Sequence, residues 1–600
     1  LYNLRSGESR RLTDFAGADA QPMWHGKDLL FTSDRGPGGI LNLWRLPSTG
    51  GEPEQLTFFN DFGIRFPAIG PSDVVFENGG QLYLLSLESK QLQAVEVRIP
   101  GDRPTLMPVY RDLSKAVRSV SPSATGKRLL IEARGEIFSV PSAAGVVKNL
   151  TRSSGAAERG PALSPDGKRL AYFSDESGEL EVWLASPDGM PFPGSDERGR
   201  QRLTSHGAGY RQGLAWAPDS KKFVYTSNDG GLWLLRLDGE EPSYERIAVD
   251  PDGQPLEARW SASSDWLCFS HRHGETELPA IFLYHLASGF THRVTSGRYA
   301  DASPAFSPDG KYLYYTSARH FEPSYADLDE TWIYADTRRL VAVPLRADVP
   351  HPLAPVDDQE PSAAAEDSAA AGGGSGAAES KPTQPAGTPA AAEGASSAAA
   401  PAAGQEPAGG ADGEGKAADK PAPKALEIDL EGFEARAVLL PVSPGSLGAL
   451  TGLEGGLLYL RQPDSGATGG SGATLERYDL ESAKKPDGAP KTVLAGVDGY
   501  ELLPDGKQLL IFSAGRIGLI QASEGQKLDQ PVDLSGLGDW FDPRAEWRQM
   551  LVETWRLFRD FFYDEKMHGL DWIAVRERYL AALPDATSRA DLSFLTAEMM

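Results

Sequence analysis

Asp560, Asp564, His568 and Asp571 form the densest group of acids and histidine in the sequence. Carboxylate oxygens beside an imidazole are a donor set for an oxygen-rich divalent-cation site. The same spacing has a plainer use. Met567-His568-Gly569 reads as the turn between two helices, and Asp571 just before Trp572 is placed to cap a helix, so the structural role is preferred. His271-Arg272-His273 follows a strand and reads as a solvated turn rather than a ligand pair. Cys268, between Leu267 and Phe269, reads as a small buried hydrophobe and not as a nucleophile. Arg10-Arg11 and Arg338-Arg339 are candidates to hold a carboxylate, yet paired charges usually form only a solvated face. The sequence has no Gly-x-Ser-x-Gly elbow, no His-Glu-x-x-His helix and no phosphate-binding glycine loop. No residue between 1 and 600 is therefore assigned to catalysis, to a cofactor or to a metal.

The elements around these residues are mostly strands. Ser164-Pro165-Asp166-Gly167-Lys168-Arg169-Leu170 recurs as Ser307-Pro308-Asp309-Gly310-Lys311-Tyr312-Leu313 and as Leu503-Pro504-Asp505-Gly506-Lys507-Gln508-Leu509. Looser copies are Ser123-Ala124-Thr125-Gly126, Ala217-Pro218-Asp219-Ser220 and Ser261-Ala262-Ser263-Ser264. Pro presets the first corner of a turn, Asp bonds back to the backbone, and Gly accepts the positive φ that closes it. Each copy is thus a hairpin, followed by an apolar strand suited to burial between sheets, then by a third strand and a fourth ending in a pair such as Leu150-Thr151 or Leu203-Thr204. Four-stranded units at intervals of about 40 to 50 residues are the signature of propeller blades. Blades are expected at 16–59, 60–102, 103–154, 155–207, 208–253, 254–298, 299–355, 426–498 and 499–543. Nine exceed one ring, so two propellers are expected, the first truncated.

Between 356 and 424 the composition collapses into Ala, Gly, Pro, Ser and acids, which cannot bury enough apolar surface to order themselves; a disordered insertion is expected there. After Pro543 the period becomes helical: Trp547, Leu551, Trp555, Phe558 and Phe562 share one face. Trp572, Val575, Tyr579 and Leu583 repeat the pattern up to Pro584, and Ser588-Arg589-Ala590-Asp591 reads as a capping box for a third helix carrying Leu592, Leu595 and Met599. Length and charge set outer bounds. The chain has 600 residues, enough for several domains, and 59 Lys plus Arg against 84 Asp plus Glu give a formal charge of −25, the wrong sign for nucleic acid or an anionic membrane. No apolar run is long enough to span a bilayer. Leu1 begins in mid-fold and Met600 ends within a helical pattern, so both ends are expected to be cuts.

The run Ala545-Glu546-Trp547-Arg548-Gln549 through Trp555-Arg556, Arg559-Asp560-Phe561-Phe562-Tyr563-Asp564, Met567-His568-Gly569-Leu570-Asp571-Trp572 and Val575-Arg576-Glu577-Arg578-Tyr579 resembles the first helical core segment of the tricorn protease family. Glu132-Ala133-Arg134-Gly135-Glu136-Ile137-Phe138, Arg319-His320-Phe321 and Asp429-Leu430-Glu431-Gly432-Phe433-Glu434-Ala435-Arg436 extend the resemblance over the chain outside the low-complexity tract. It implies the end of a six-bladed propeller at 1–102, a seven-bladed propeller at 103–543, and an incomplete α-helical core segment at 544–600. It further implies a serine peptidase acting on oligopeptides, propellers that gate passage, a ring-shaped homo-oligomer and a cytoplasmic setting. The family's general-base histidine and serine nucleophile would then lie beyond Met600; His568 belongs to the Met-His-Gly turn and does not occupy the histidine's position. The alternative is a non-catalytic propeller scaffold for protein interaction. A prolyl-oligopeptidase-type enzyme is disfavoured, because its hydrolase domain would not open with this helical motif.

Overall fold

The computed structural model describes residues 1–98, 100–273, 276–326, 331–333, 336–354, 424–463, 472–484 and 488–600. The expected disordered insertion therefore lies, apart from Lys424, outside the described residues.

The chain is mostly β. Among the described residues nine antiparallel sheets of three or four strands follow one another, at 19–55, 65–95, 117–149, 158–202, 211–249, 259–293, 301–439, 447–497 and 499–521; they are numbered one to nine below. Strand order within each follows the chain. The recurrent phrase makes the corner between the first and second strands. Ser164 Oγ donates to Asp166 at 2.6 Å, the same carboxylate accepts Lys168 N at 3.1 Å, and Gly167 takes φ +73°. Ser220 and Ser264 stand where glycine would and still adopt φ of 60° and 64°. The degenerate copies thus form the same turn at some backbone cost.

The Leu-Thr pairs have a reason too. Oγ1 of Thr57, Thr151, Thr204 and Thr295 accepts a third-strand amide, from Leu43, Ile137, Val182 and Ile281 at 2.8, 3.0, 2.9 and 3.0 Å. In the middle two, the hydroxyl donates onward to a buried glutamate, Glu136 at 2.7 Å and Glu181 at 2.5 Å. A threonine after the last strand therefore stitches the outer edge of the sheet.

Why sheets three to nine form a ring follows from strand alternation. Successive side chains point to opposite faces, so in the second strand of sheet three Leu129 and Ile131 pack on sheet nine, while Leu130 packs on sheet four. The same division runs on through sheets four to nine, each neighbouring pair sharing one apolar cluster. Leu510 and Ile517 of sheet nine complete the circle against Leu129, Ile131 and Phe138. Burial on both faces explains why these strands read as continuous apolar runs. Sheets one and two share a separate cluster, around Leu30, Leu43, Val74 and Phe76.

Two elements differ from the expected blades. Sheet seven, expected at 299–355, takes its outer strand from Val438–Leu439, on the far side of the low-complexity tract. Two residues carry no readable alternation, so the sequence pattern placed them with the next unit. In place of a ninth four-stranded blade over 499–543, sheet nine has three strands, and Gly538–Phe541 pairs instead with Val109–Asp112. The chain entering the ring is thus clamped to the chain leaving it, with Leu113 N donating to Leu537 O at 2.8 Å.

Three helices follow: α1 (Pro543–Phe561), α2 (Trp572–Ala582) and α3 (Arg589–Met599). Asp542 and Asp571 cap the first two, accepting Arg544 N and Ala574 N at 3.0 Å each. Ser588 and Asp591 form the expected reciprocal box at the third. The apolar face of α1 meets α2 and α3 as the spacing predicts: Trp547, Leu551 and Trp555 are buried with Tyr579, Leu592 and Met599. Among the described residues no helix is long and apolar enough to cross a membrane.

Candidate functional site: the ring face beneath the first helix

The side of α1 opposite its apolar stripe carries a second, polar stripe: Glu546, Gln549, Glu553, Arg556 and Asp560, at steps of three and four residues. That spacing keeps them on one face, and the face lies on the ring. Glu546 pairs with Arg134 of sheet three and Glu553 with Arg159 of sheet four. Gln549 Nε2 donates to Asp175 at 2.9 Å. Arg556 pairs with the same carboxylate and donates to Gly178 O at 2.7 Å. Arg559 forks onto both oxygens of Glu179 at 2.6 and 2.7 Å, and Asn228 of sheet five donates to Asp560 O at 2.7 Å. One helix thus spans three neighbouring sheets, held almost entirely by charge-assisted bonds. Burial works against the Arg559 cation, but the Glu179 and Asp560 carboxylates outweigh it and hold its pKa above the usual guanidinium value. Arg159 is raised in the same way, burial being outweighed by Glu553. On the other side, Phe62 of the 56–64 loop meets Tyr579 edge-on at 5.6 Å and Arg65 pairs with Glu598, so the helices also lean on sheet two.

A cavity of about 650 Å³ remains between the ring and the first half of α1. Lys115, Arg118 and Glu132 line it together with the Arg134–Glu546 and Arg159–Glu553 pairs. Two buried acids stand at its wall. Glu136 accepts Thr151 Oγ1 and Ser153 N, each at 2.7 Å; Glu158 accepts Ser153 Oγ at 2.5 Å and Ser174 Oγ at 3.2 Å. Burial, reinforced by the charge of Glu136, pushes the Glu158 carboxyl up to about 8. Ser153 meets a carboxyl here and no histidine, so the cavity holds the ingredients for binding polar, charged chain segments rather than a nucleophile with its base.

The residues singled out in the sequence are dispersed. Asp564 and His568 do come together, with Nδ1 3.2 Å from the carboxylate and Nε2 bonded to Tyr563 OH, but the imidazole is exposed and its residue turns the chain at φ 52°. Asp560 is engaged by Arg559, and Asp571 caps α2. Among the described residues no three His, Cys, Asp or Glu side chains are gathered as a metal site. Cys268 is fully buried, and burial drives its thiol pKa upward, as befits an inert core residue. His271 stacks on Phe282 at 4.1 Å and Arg272 pairs with Asp252; the side chain of His273 lies outside the described residues. Arg10 bonds to the Ser48 and Thr49 carbonyls, Arg11 pairs with Asp14 at 2.6 Å, and Arg338 reaches Thr316 Oγ1 at 3.4 Å. The residues that sequence reasoning missed are the polar stripe of α1. Its signal was present, a charged face offset from the apolar one, but it reads like any solvated face until the ring is placed against it.

Three family models match in the order of the chain: the tricorn protease N-terminal beta propeller domain over 1–91, the tricorn protease second beta propeller domain over 117–523, and the tricorn protease C1 domain over 543–600. Tricorn protease homolog 1 of Streptomyces coelicolor is 27% identical, covering 99% of this chain and 52% of the relative. The tricorn protease homolog of Saccharolobus solfataricus is 23% identical over 96% of this chain and 47% of its own length. The crystal structure of the tricorn protease superimposes with a TM-score of 0.71 at 18% identity, covering 98% of this chain and 50% of that one. The chain therefore spans about half the length of the curated relatives it matches. Ring, clamp and docked helical segment, in this order and with these matches, place the chain in the tricorn protease family.

Proposed function

We propose that this chain is the substrate-handling part of a serine-type peptidase that degrades oligopeptides. The observation that carries the reading is α1 itself: a C1-type helical segment bonded across three sheets of a closed ring, so that whatever it helps to build sits on one face of the ring. In this account 1–102 closes a first, six-bladed propeller, 103–543 is the seven-bladed one, and 544–600 begins the catalytic core. The base and nucleophile belong to the part of the relatives' length that these 600 residues do not span. The sheets restrict access: a folded protein does not thread a ring, whereas an extended peptide does. The complete assembly is a cytoplasmic homo-oligomeric ring.

The test compares the whole natural protein with residues 1–600 alone on an unstructured peptide, with products read by mass spectrometry. The whole protein is expected to cleave it, and residues 1–600 to leave it intact. Intact peptide in both reactions would overturn the peptidase reading in favour of a non-catalytic scaffold.

A further inference from the structure

The inner wall of the seven-sheet ring is made by first strands. First strands lie close together from sheet three to sheet five and from sheet six to sheet eight, whereas among the described residues no two fourth strands do so. Solvent reaches this wall, since Arg118, Gln212, Arg259, Ala449 and Glu501 are all exposed on first strands. Each first strand enters its corner in the same register, so the residue opposite the same second-strand position can be compared from sheet to sheet. At that tier five sheets place a small side chain: Ser121, Ala162, Ala215, Ala305 and Thr451. The other two place Arg259, paired with Cys268, and Glu501, paired with Leu510.

Arg259 belongs to sheet six and Glu501 to sheet nine, three steps apart in a ring of seven, which is the greatest separation such a ring allows. They therefore stand on opposite sides of the axis. The two charges sense each other: Glu501 opens onto the passage by surface area, yet the surrounding strands crowd its carboxyl and push it up to about 7, and the Arg259 guanidinium opposes that rise. The same guanidinium acts on the phenol of Tyr500, whose OH donates to Ala449 O at 2.5 Å and to Thr451 Oγ1 at 3.1 Å. Among the described residues neither Arg259 nor Glu501 has a hydrogen-bonding or ion-pair partner within its own wall.

We propose that Arg259 and Glu501 are a specificity-determining pair of the axial passage, holding an extended polypeptide between them by its main chain. The guanidinium donates to a peptide carbonyl and the carboxylate accepts a peptide N–H, so the pair reads what all unfolded chains share and leaves the side chains to the small residues of the same tier. The inference rests on the passage reading given above.

Its test is peptide binding to residues 1–600, followed by fluorescence anisotropy, which does not depend on catalysis. Arg259→Gln, Glu501→Gln and the exchange Arg259→Glu with Glu501→Arg are compared with the unaltered chain, with thermal melts as a check on folding. Each single change is expected to weaken binding of an unstructured peptide about three- to fivefold, the range of a solvent-accessible charged contact. The exchange is expected to recover most of the loss. A peptide methylated on its backbone nitrogens is expected to bind more weakly and to ignore Glu501→Gln. Unchanged affinity in both single variants, or equal sensitivity of the methylated peptide to Glu501→Gln, would overturn the pair. Binding that obeys these rules in a whole protein that cleaves nothing would overturn the peptidase reading and leave the pair standing.

Discussion

Arg556 of α1 and Asp175, in the turn between the second and third strands of sheet four, form an ion pair almost wholly removed from water, with 9% and 4% of their side chains exposed. Asp175 also accepts Ala157 N at 2.7 Å and Gln549 Nε2 at 2.9 Å. The carboxylate is thus a node joining the ring to the helix, with both of its oxygens engaged.

Breaking such a pair from one side leaves a buried charge uncompensated. Arg556→Met is expected to cost about 3–5 kcal/mol and to free the helical segment first, seen as faster proteolysis after residue 543. Glu179→Gln, at a carboxylate 28% exposed whose loss leaves Arg559 paired with Asp560, is expected to cost no more than about 1 kcal/mol. Equal costs for the two would show that burial at Asp175 is not what anchors the helix.

Glu158 ties stability to pH. Its folded pKa lies near 8, above the 4.5 of an unperturbed glutamate, so between those values the unfolded chain has released a proton that the folded chain keeps. The contribution is therefore whole below about pH 4.5 and is lost as pH rises through about 8. Glu158→Gln, which keeps an uncharged acceptor for the Ser153 and Ser174 hydroxyls, is expected to raise Tm at pH 8.5 relative to the unaltered chain and to make little difference at pH 5. A gain that is the same at both pH values would contradict the assignment.

Thr204→Val keeps shape and removes the hydroxyl between Val182 N and Glu181. Glu181 is 2% exposed, so two buried groups lose a partner, at an expected cost of about 1–3 kcal/mol in urea denaturation. A neutral result would mean the outer-edge stitch adds nothing to the sheet.

Phe541 closes the clamp. It is buried against sheets three and nine, with the Arg134 guanidinium 5.6 Å from its ring centroid. Phe541→Ala is expected to cost about 3–5 kcal/mol and to lower the unfolding midpoint of the ring as a whole. If only the helical segment loosened, the clamp would not be what closes the circle.

Much of this was legible because local chemistry and global fold agree. Pro-Asp-Gly names its turn, the aromatic strands name their burial, and Trp547, Leu551 and Trp555 name the inner face of α1. What escaped was decided by partners distant in sequence. Val438–Leu439 is a strand only because Val341 and Ala342 wait beside it, and Val109–Asp112 only because Gly538–Phe541 returns to it. Glu553 and Arg556 look like solvent-facing charges until Arg159 and Asp175, some 380 to 390 residues earlier, are brought beneath them. Arg259 and Glu501 share no motif at all; closure of the ring alone sets them face to face.

A peptidase entered through a ring must tell unfolded chains from folded ones, so the whole natural protein is given one polypeptide in two forms, folded and permanently unfolded. The unfolded form is expected to be cut to short peptides while the folded form survives. Equal digestion of both, or digestion of neither, would contradict this reading.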